Sequence, residues 1–226
     1  LVAGAGNVVQ LQYPIMGERI EKLISVVPPL DPTPLIADLP DLAGLIAVIN
    51  SGFDITLPDW RRLVDTAQCP IWFDIHSLVL SRKLNCSRKY LPLPEWEDWA
   101  RGVTYLQANE QELASLSGDP RKNPTTKDFE QVGQAAFSLG IKALFITCGS
   151  RGIIVITPRK MEIIPLNQKQ KVVDTTGCGD VFCGATVVKL GEGSDPFAAA
   201  QAGQYYAAQA VGISGIIETY QLIRSL

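Results

Sequence analysis

The 226-residue chain has a single histidine, His76, and its five cysteines form no Cys-x-x-Cys pair. A zinc site draws on clustered His and Cys ligands, and a disulfide framework uses an even cysteine count. Cys69, Cys86, Cys148, Cys178 and Cys183 fit neither. No Gly-x-Ser-x-Gly elbow occurs, so nothing marks a hydrolase serine for the lone histidine to serve. Positive charge is not in excess: 20 Lys+Arg against 23 Asp+Glu leave a net −3, the wrong sign for neutralising a run of phosphates. Nucleic acid is therefore not an expected partner. Apolar runs such as Leu42–Ile49 fall far short of the roughly 20 residues that cross a bilayer. The chain does not open on a basic stretch followed by an apolar signal core. A soluble cytoplasmic protein without a membrane partner is expected. Its first residue is Leu1 rather than Met, as in a processed form or a fragment.

What is present is globular: 46% hydrophobic and 19% charged residues support a folded core rather than disorder. The first forty residues are crowded with proline (Pro14, Pro28, Pro29, Pro32, Pro34, Pro40) and read as extended edge structure or loop around one strand-like run, Ile20–Val27. From residue 41 onward helices and strands alternate. Short apolar runs at Leu45–Asn50, Ile71–Asp74, Val103–Ala108 and Ala143–Thr147 predict strands, and Gly152–Thr157 with Met161–Pro165 predicts a hairpin. Helical spacing marks Pro58–Ala67 behind a Thr56 cap, Glu110–Leu116, Asp128–Leu139, Val181–Leu190 and Pro196–Val211. Strands separated by helices imply right-handed crossovers, hence an α/β fold with a mainly parallel central sheet covered by helices on both faces. In such sheets ligands bind beyond the carboxyl ends of the strands.

The strongest local signal is Val172-Val173-Asp174-Thr175-Thr176-Gly177-Cys178-Gly179-Asp180, an apolar pair that runs through a small-residue turn into a helix. Gly177 and Gly179 permit positive φ and close backbone approach, and amides 177–180 at a helix N-terminus would attract an anion. Asp180 beside a phosphate cradle repels the phosphate unless it has another task; general base toward a hydroxyl nucleophile is the natural one. The competing reading is a plain cap, with Asp180 satisfying the first-turn amides.

The stretch Asp174–Ala185 resembles the C-terminal signature of the ribokinase-like carbohydrate kinases, the phosphofructokinase B group, with Cys178 where alanine is usual. The resemblance implies a three-layer ribokinase-like fold and a γ-phosphoryl transfer from ATP to a primary hydroxyl of a sugar. It assigns Asp180 as base and the amides of Gly177, Cys178 and Gly179 as the anion hole, and adds Asp174 to a potassium site. Asn109-Glu110-Gln111-Glu112 resembles the family's Asn-x-x-Glu motif, in which Asn109 and Glu112 organise Mg²⁺ and its waters; by spacing alone the pair reads first as a capping box. Thr147-Cys148-Gly149-Ser150-Arg151-Gly152 resembles its Thr-x-Gly-x-x-Gly turn, which puts Thr147, Gly149 and Gly152 at the nucleotide. Gln204, in a small-residue helix, falls about where relatives carry Asn beside the adenine. Asp74-Ile75-His76 stands where the family has Asp-x-Asn, with His76 read as polar lining or a surface histidine.

The resemblance covers about residues 41–226, expected as the kinase domain, with 1–40 as a shortened, lid-like segment. Leu1–Asn7 only loosely matches the family's Gly-Gly segment, about a dozen residues before the lid-like run Gly17–Val27. Either the family's first quarter is absent or its front end is shortened. The alternatives are a nucleoside in place of the sugar, and a non-catalytic or truncated relative that binds nucleotide or a partner protein. Self-association is expected through an exposed apolar sheet edge.

Overall fold

Thr56 Oγ1 accepts the Asp59 amide at 3.2 Å, and the helix it caps, α2, begins at the next residue with Pro58 in its first turn. Local rules of this kind set most of the elements in the computed structural model, which describes residues 6–12, 20–167 and 171–225. In chain order these are β1 (Val8–Gln12), β2 (Ile20–Ser25), α1 (Thr33–Asp38), β3 (Leu45–Val48), α2 (Leu57–Thr66), β4 (Ile71–Asp74), α3 (Trp96–Ala100), β5 (Tyr105–Asn109), α4 (Glu110–Leu116), α5 (Thr126–Ser138), β6 (Ala143–Thr147), β7 (Ile153–Ile156), β8 (Met161–Ile164), α6 (Cys178–Gly191), α7 (Pro196–Ala210) and α8 (Ile216–Ser225). The chain divides into two compact units, Leu1–Ile141 and Lys142–Leu226.

In the first unit β3, β4 and β5 pair in parallel, with Leu45 opposite Ile71 and Trp72 opposite Tyr105. All four residues of β4 are buried, as a strand covered on both faces requires. α2 turns Trp60, Leu63 and Val64 inward at helical spacing. The Trp60 ring stacks on Phe73 with centroids 4.8 Å apart, and Phe73 lies 6.4 Å from Trp99. Two of the four buried indoles donate across the core: Trp60 Nε1 to Trp99 O at 2.7 Å and Trp72 Nε1 to Gln107 Oε1 at 3.2 Å. β1 and β2 form a separate antiparallel ribbon, anchored where Leu23 is fully buried and where the Arg88 amide donates to Glu21 O at 2.8 Å. The proline-rich stretch holds one helix the sequence reading missed. Pro34 lies in the first turn of α1, where the absent N–H costs nothing. Leu1–Ala5 and Gly17–Arg19, parts of the front-end segments singled out in the sequence, lie outside the described residues.

In the second unit β6, β7 and β8 form an antiparallel meander, with Phe145 opposite Val155 and Ile154 opposite Ile163. The expected hairpin is thus present, and the α/β reading holds with parallel crossovers in the first unit and a meander in the second. α6 and α7 approach closely because Ala199, Ala200 and Gly203 are small; an added Cβ at Gly203 would collide with Thr186 Oγ1 and stand 2.8 Å from Phe182 O. Thr186 is fully buried and satisfied, its hydroxyl donating to Phe182 O at 2.7 Å.

Candidate functional site

The segment leading into α6 is pinned at its start: the amides of Val173 and Asp174 both donate to Val211 O, at 2.9 and 3.2 Å. Asp174 then folds the turn around its own carboxylate, Oδ1 accepting the Thr176 amide at 2.9 Å and Oδ2 the Ser214 hydroxyl at 3.2 Å. Gly177 follows at φ +79°, a left-handed conformation that side chains disfavour, and it is the N-cap of α6. Helix α6 therefore starts at Cys178, three residues before the apolar pattern that predicted it. Among the described residues no side chain caps this end. The Cys178 amide donates to Thr175 O at 3.3 Å, while the amides of Gly177, Gly179 and Asp180 have no partner among the described residues.

Asp180 is the third residue of α6 and exposed. Its carboxylate accepts no hydrogen bond among the described residues, so the plain capping reading of Asp180 fails. Burial, with Asp174 and Asp180 close by, pushes the Cys178 thiol pKa up, which keeps it a neutral thiol.

Beside this helix start lies a cavity of about 780 Å³, contained in the second unit and lined mostly by apolar side chains: Ile153, Leu166, Val172, Phe182, Ala207, Ala208 and Val211. Cys178, Gly179 and Thr175 line it from the α6 segment, Thr147, Gly149 and Gly152 from the β6–β7 turn, and Gln204 from α7. Gly149 and Gly152 have φ of +57° and +105°. At Gly152 a Cβ would strike the Ile164 carbonyl and stand 2.9 Å from the Leu166 amide, so only glycine fits where the turn crosses the end of β8. Gln204 is 8% exposed and donates from Nε2 to Ile164 O at 3.4 Å. The structure thus brings Thr147, Gly149, Gly152, Cys178, Gly179 and Gln204 to one cavity wall. The apolar lining escaped the sequence reading, because a small pair such as Ala207-Ala208 reads equally well as helix packing.

Asn109 and Glu112 lie in the first unit and form a full capping box at the start of α4. Asn109 Oδ1 accepts the Glu112 amide at 2.9 Å, and Glu112 Oε2 accepts the Asn109 amide at 2.6 Å. Glu112 is 3% exposed, and its Oε1 also accepts from Asn109 Nδ2 at 2.7 Å. His76 Nδ1 stands 3.7 Å from the same oxygen, with a backbone φ of +37° that is rare outside glycine. Burial opposes charge on His76, but the negative charge of the adjacent Glu112 carboxylate, with Asp74 and Glu21 behind, raises its pKa to about 9. His76 is thus a partly exposed histidine whose ring faces a buried carboxylate. Among the described residues no three His, Cys, Asp or Glu side chains gather into a metal cage.

The model of the pfkB family carbohydrate kinases matches residues 78–221. The chain belongs to that family. Ribokinase of Arabidopsis thaliana is 39% identical over 98 residues, 40% of this chain and 24% of that protein. The chain thus matches only about a quarter of that relative's length. Among solved structures, Arabidopsis thaliana ribokinase complexed with ribose and ATP superposes with a TM-score of 0.70 at 18% identity, covering 94% of this chain and 65% of that one. The sulfate complex of a pyrophosphate-dependent kinase in the ribokinase family superposes with a TM-score of 0.74 at 16% identity, covering 96% and 73%. The fold is the ribokinase fold. No helix among the described residues is long and apolar enough to cross a membrane.

Proposed function

We propose that this pfkB family member transfers the γ-phosphoryl group of ATP to a primary hydroxyl of a sugar, with Asp180 as the general base. The observation that carries the reading is the start of α6: three amides without partners among the described residues, beside an apolar cavity of about 780 Å³. Open amides at a helix N-terminus favour an anion, and the cavity is of the size that holds a nucleotide. Arabidopsis ribokinase, which shares the fold, was solved with ribose and ATP, which favours a sugar over a nucleoside as acceptor.

Thr147, Gly149, Gly152 and Gln204 hold the nucleotide. The amides of Gly177, Cys178 and Gly179 stabilise charge on the phosphoryl group in flight, with Cys178 contributing least because Thr175 O already engages it. Asp180 accepts the proton of the attacking hydroxyl as the new O–P bond forms and ADP leaves. Mg²⁺ supplies charge neutralisation at the phosphates when bound. Asn109 and Glu112 fit it through water, since the capping box engages both side chains yet each carboxylate oxygen keeps a lone pair. Asp174, with carboxylate and backbone oxygens in a tight turn, suits a potassium ion. Residues 1–40, including the β1–β2 ribbon, serve as the lid-like segment of a kinase domain spanning 41–226. A cytoplasmic setting accords with five free thiols, and self-association is part of the same reading, to be checked by sedimentation.

The test is ADP release from ATP-Mg²⁺ by the chain against sugars, sugar phosphates and nucleosides, with Asp180→Asn alongside. Acceptor-dependent release is expected, reduced about a hundredfold or more in the variant, with nucleotide affinity nearly unchanged. Comparable turnover in the variant defeats the assignment of Asp180. Nucleotide binding without release for any acceptor would make the chain a truncated or non-catalytic relative.

A further inference from the structure

The loop beyond β4 reverses the sign of the chain: Ser81–Lys89 carries Arg82, Lys83, Arg88 and Lys89 and no acidic residue, against a net charge of −3 overall. Arg88 is only 9% exposed. Four of its five N–H groups are spent on neutral oxygens. Nε donates to Ser81 O at 3.3 Å, Nη1 to Ser77 Oγ at 3.2 Å, and Nη2 to Ser51 O at 2.9 Å and Ser77 O at 3.2 Å. Among the described residues no carboxylate is in ion-pair contact with it, although a buried charge ordinarily has such a partner. Glu21 and Asp54 act on it only at longer range, and one Asp54 oxygen already accepts the amides of Ser51 and Gly52, at 2.8 and 3.1 Å.

A second guanidinium adds to the imbalance. Gly52 has φ +82°, and a Cβ there would stand 3.3 Å from Arg82 Nε and 3.5 Å from Arg88 Nη2, so the two side chains meet over one glycine. Arg82 is exposed and lies over the Phe53 ring, 5.4 Å from its centroid, with no hydrogen bond or ion pair among the described residues. Stacking orients the guanidinium and leaves its N–H edge open. Like charges this close repel unless an anion joins them. Ser51 and Ser77, which hold Arg88, follow the carboxyl ends of β3 and β4, the edge at which such sheets take ligands. The same edge carries the capping box: Ser77 follows His76, whose ring faces Glu112, and the Tyr90 hydroxyl, two residues past Arg88, accepts from Asn109 Nδ2 at 3.5 Å. All of these residues lie in the first unit.

We infer that Arg82 and Arg88 form an oxyanion site, and that the sugar this chain phosphorylates carries a phosphate or carboxylate group which they hold. The role of the anion as part of the acceptor rests on the proposed kinase activity; the site itself does not. Arg82 offers its open N–H fork and Arg88 its remaining Nη1 N–H, and the bonds they make to a charged oxygen are shorter and stronger than those to a neutral hydroxyl. A neutral sugar leaves both positive charges uncompensated.

The test compares matched sugars on the full chain by calorimetry, fructose against fructose 6-phosphate and glucose against gluconate, with ADP release from ATP-Mg²⁺ measured alongside. At least one anionic sugar is expected to bind about tenfold or more tightly than its neutral partner, and which of the two gains identifies the group as phosphate or carboxylate. Arg82→Gln, first shown folded by its thermal melt, should bring that pair within roughly threefold, and Arg82→Lys, which keeps the charge without the fork, should fall between. Anionic sugars that bind no more tightly than neutral ones overturn the inference. So does a preference that Arg82→Gln leaves unchanged. Turnover of a neutral sugar in preference to both anionic ones overturns the anionic acceptor while leaving the kinase reading intact. Anion binding that depends on Arg82, without turnover of any acceptor, upholds the oxyanion site and overturns the kinase reading.

Discussion

His76 holds a conformation that most residues avoid, φ +37°, at the point where its ring meets the buried Glu112 carboxylate. Its pKa of about 9 lies above the value near 6.5 of an unfolded histidine. The charged ring therefore contributes its full share of stability below about pH 6.5, and that share fades as pH climbs through 9. Because His76 is the only histidine, one imidazole resonance should titrate with a midpoint near 9 in metal-free protein; a midpoint near 6.5 would mean the Glu112 contact does not persist in solution. His76→Asn, which tolerates the backbone conformation, should flatten the stability curve across that range. Gly152 makes a sharper demand. Its φ of +105° and the Ile164 carbonyl behind it leave no room for a methyl group, so Gly152→Ala should lower unfolding free energy by about 2 kcal/mol or more in urea melts.

At the level of elements, α4 separates two roles that its sequence could not. A capping box and a metal-organising pair use the same residue types at the same spacing, and the structure shows the box complete. Asn109→Ala should cost about 1 kcal/mol of stability, and the loss should be the same in EDTA as in Mg²⁺, whereas a loss confined to Mg²⁺ would make the metal the chief function of Asn109. The strands β3 to β8 and helices α2, α4, α5 and α7 were legible because apolar period and capping residues coincide with their ends. Helix α6 was legible only in part: its apolar pattern begins at Val181, so its first turn, Cys178-Gly179-Asp180, was legible only through the glycine-rich turn that marks a helix start, with Gly177 at φ +79° as its cap. α1 was hidden by proline read as a breaker. α3 has only five residues, too few to show a helical period, and α8 was passed over although Ile216, Tyr220 and Ile223 fall at helical spacing. The site residues around Asp180 were readable as a motif, but the cavity wall was not, since alanine, leucine and valine look alike whether they face a core or a ligand. The contact between His76 and Glu112 joins residues from separate elements, and no local pattern announces it.

On the scale of the whole chain, the cavity wall falls within the second compact unit and the capping box within the first. Ligand that binds only the folded cavity adds stability by mass action, so ADP at about a hundred times its dissociation constant should add about 2.7 kcal/mol to unfolding of Lys142–Leu226, read as slowed hydrogen exchange at β6 and β7. Unchanged exchange at saturating ADP would mean the nucleotide binds elsewhere. The aromatic stack described for the first unit has an optical consequence. Trp60, Trp72, Trp96 and Trp99 are the only tryptophans in the chain, and none lines the cavity. A base entering it has no indole to quench, so intrinsic tryptophan emission is blind to direct stacking there. Titrations followed at that wavelength would understate binding, and a fluorescent nucleotide or a tryptophan installed by Leu166→Trp would restore the signal.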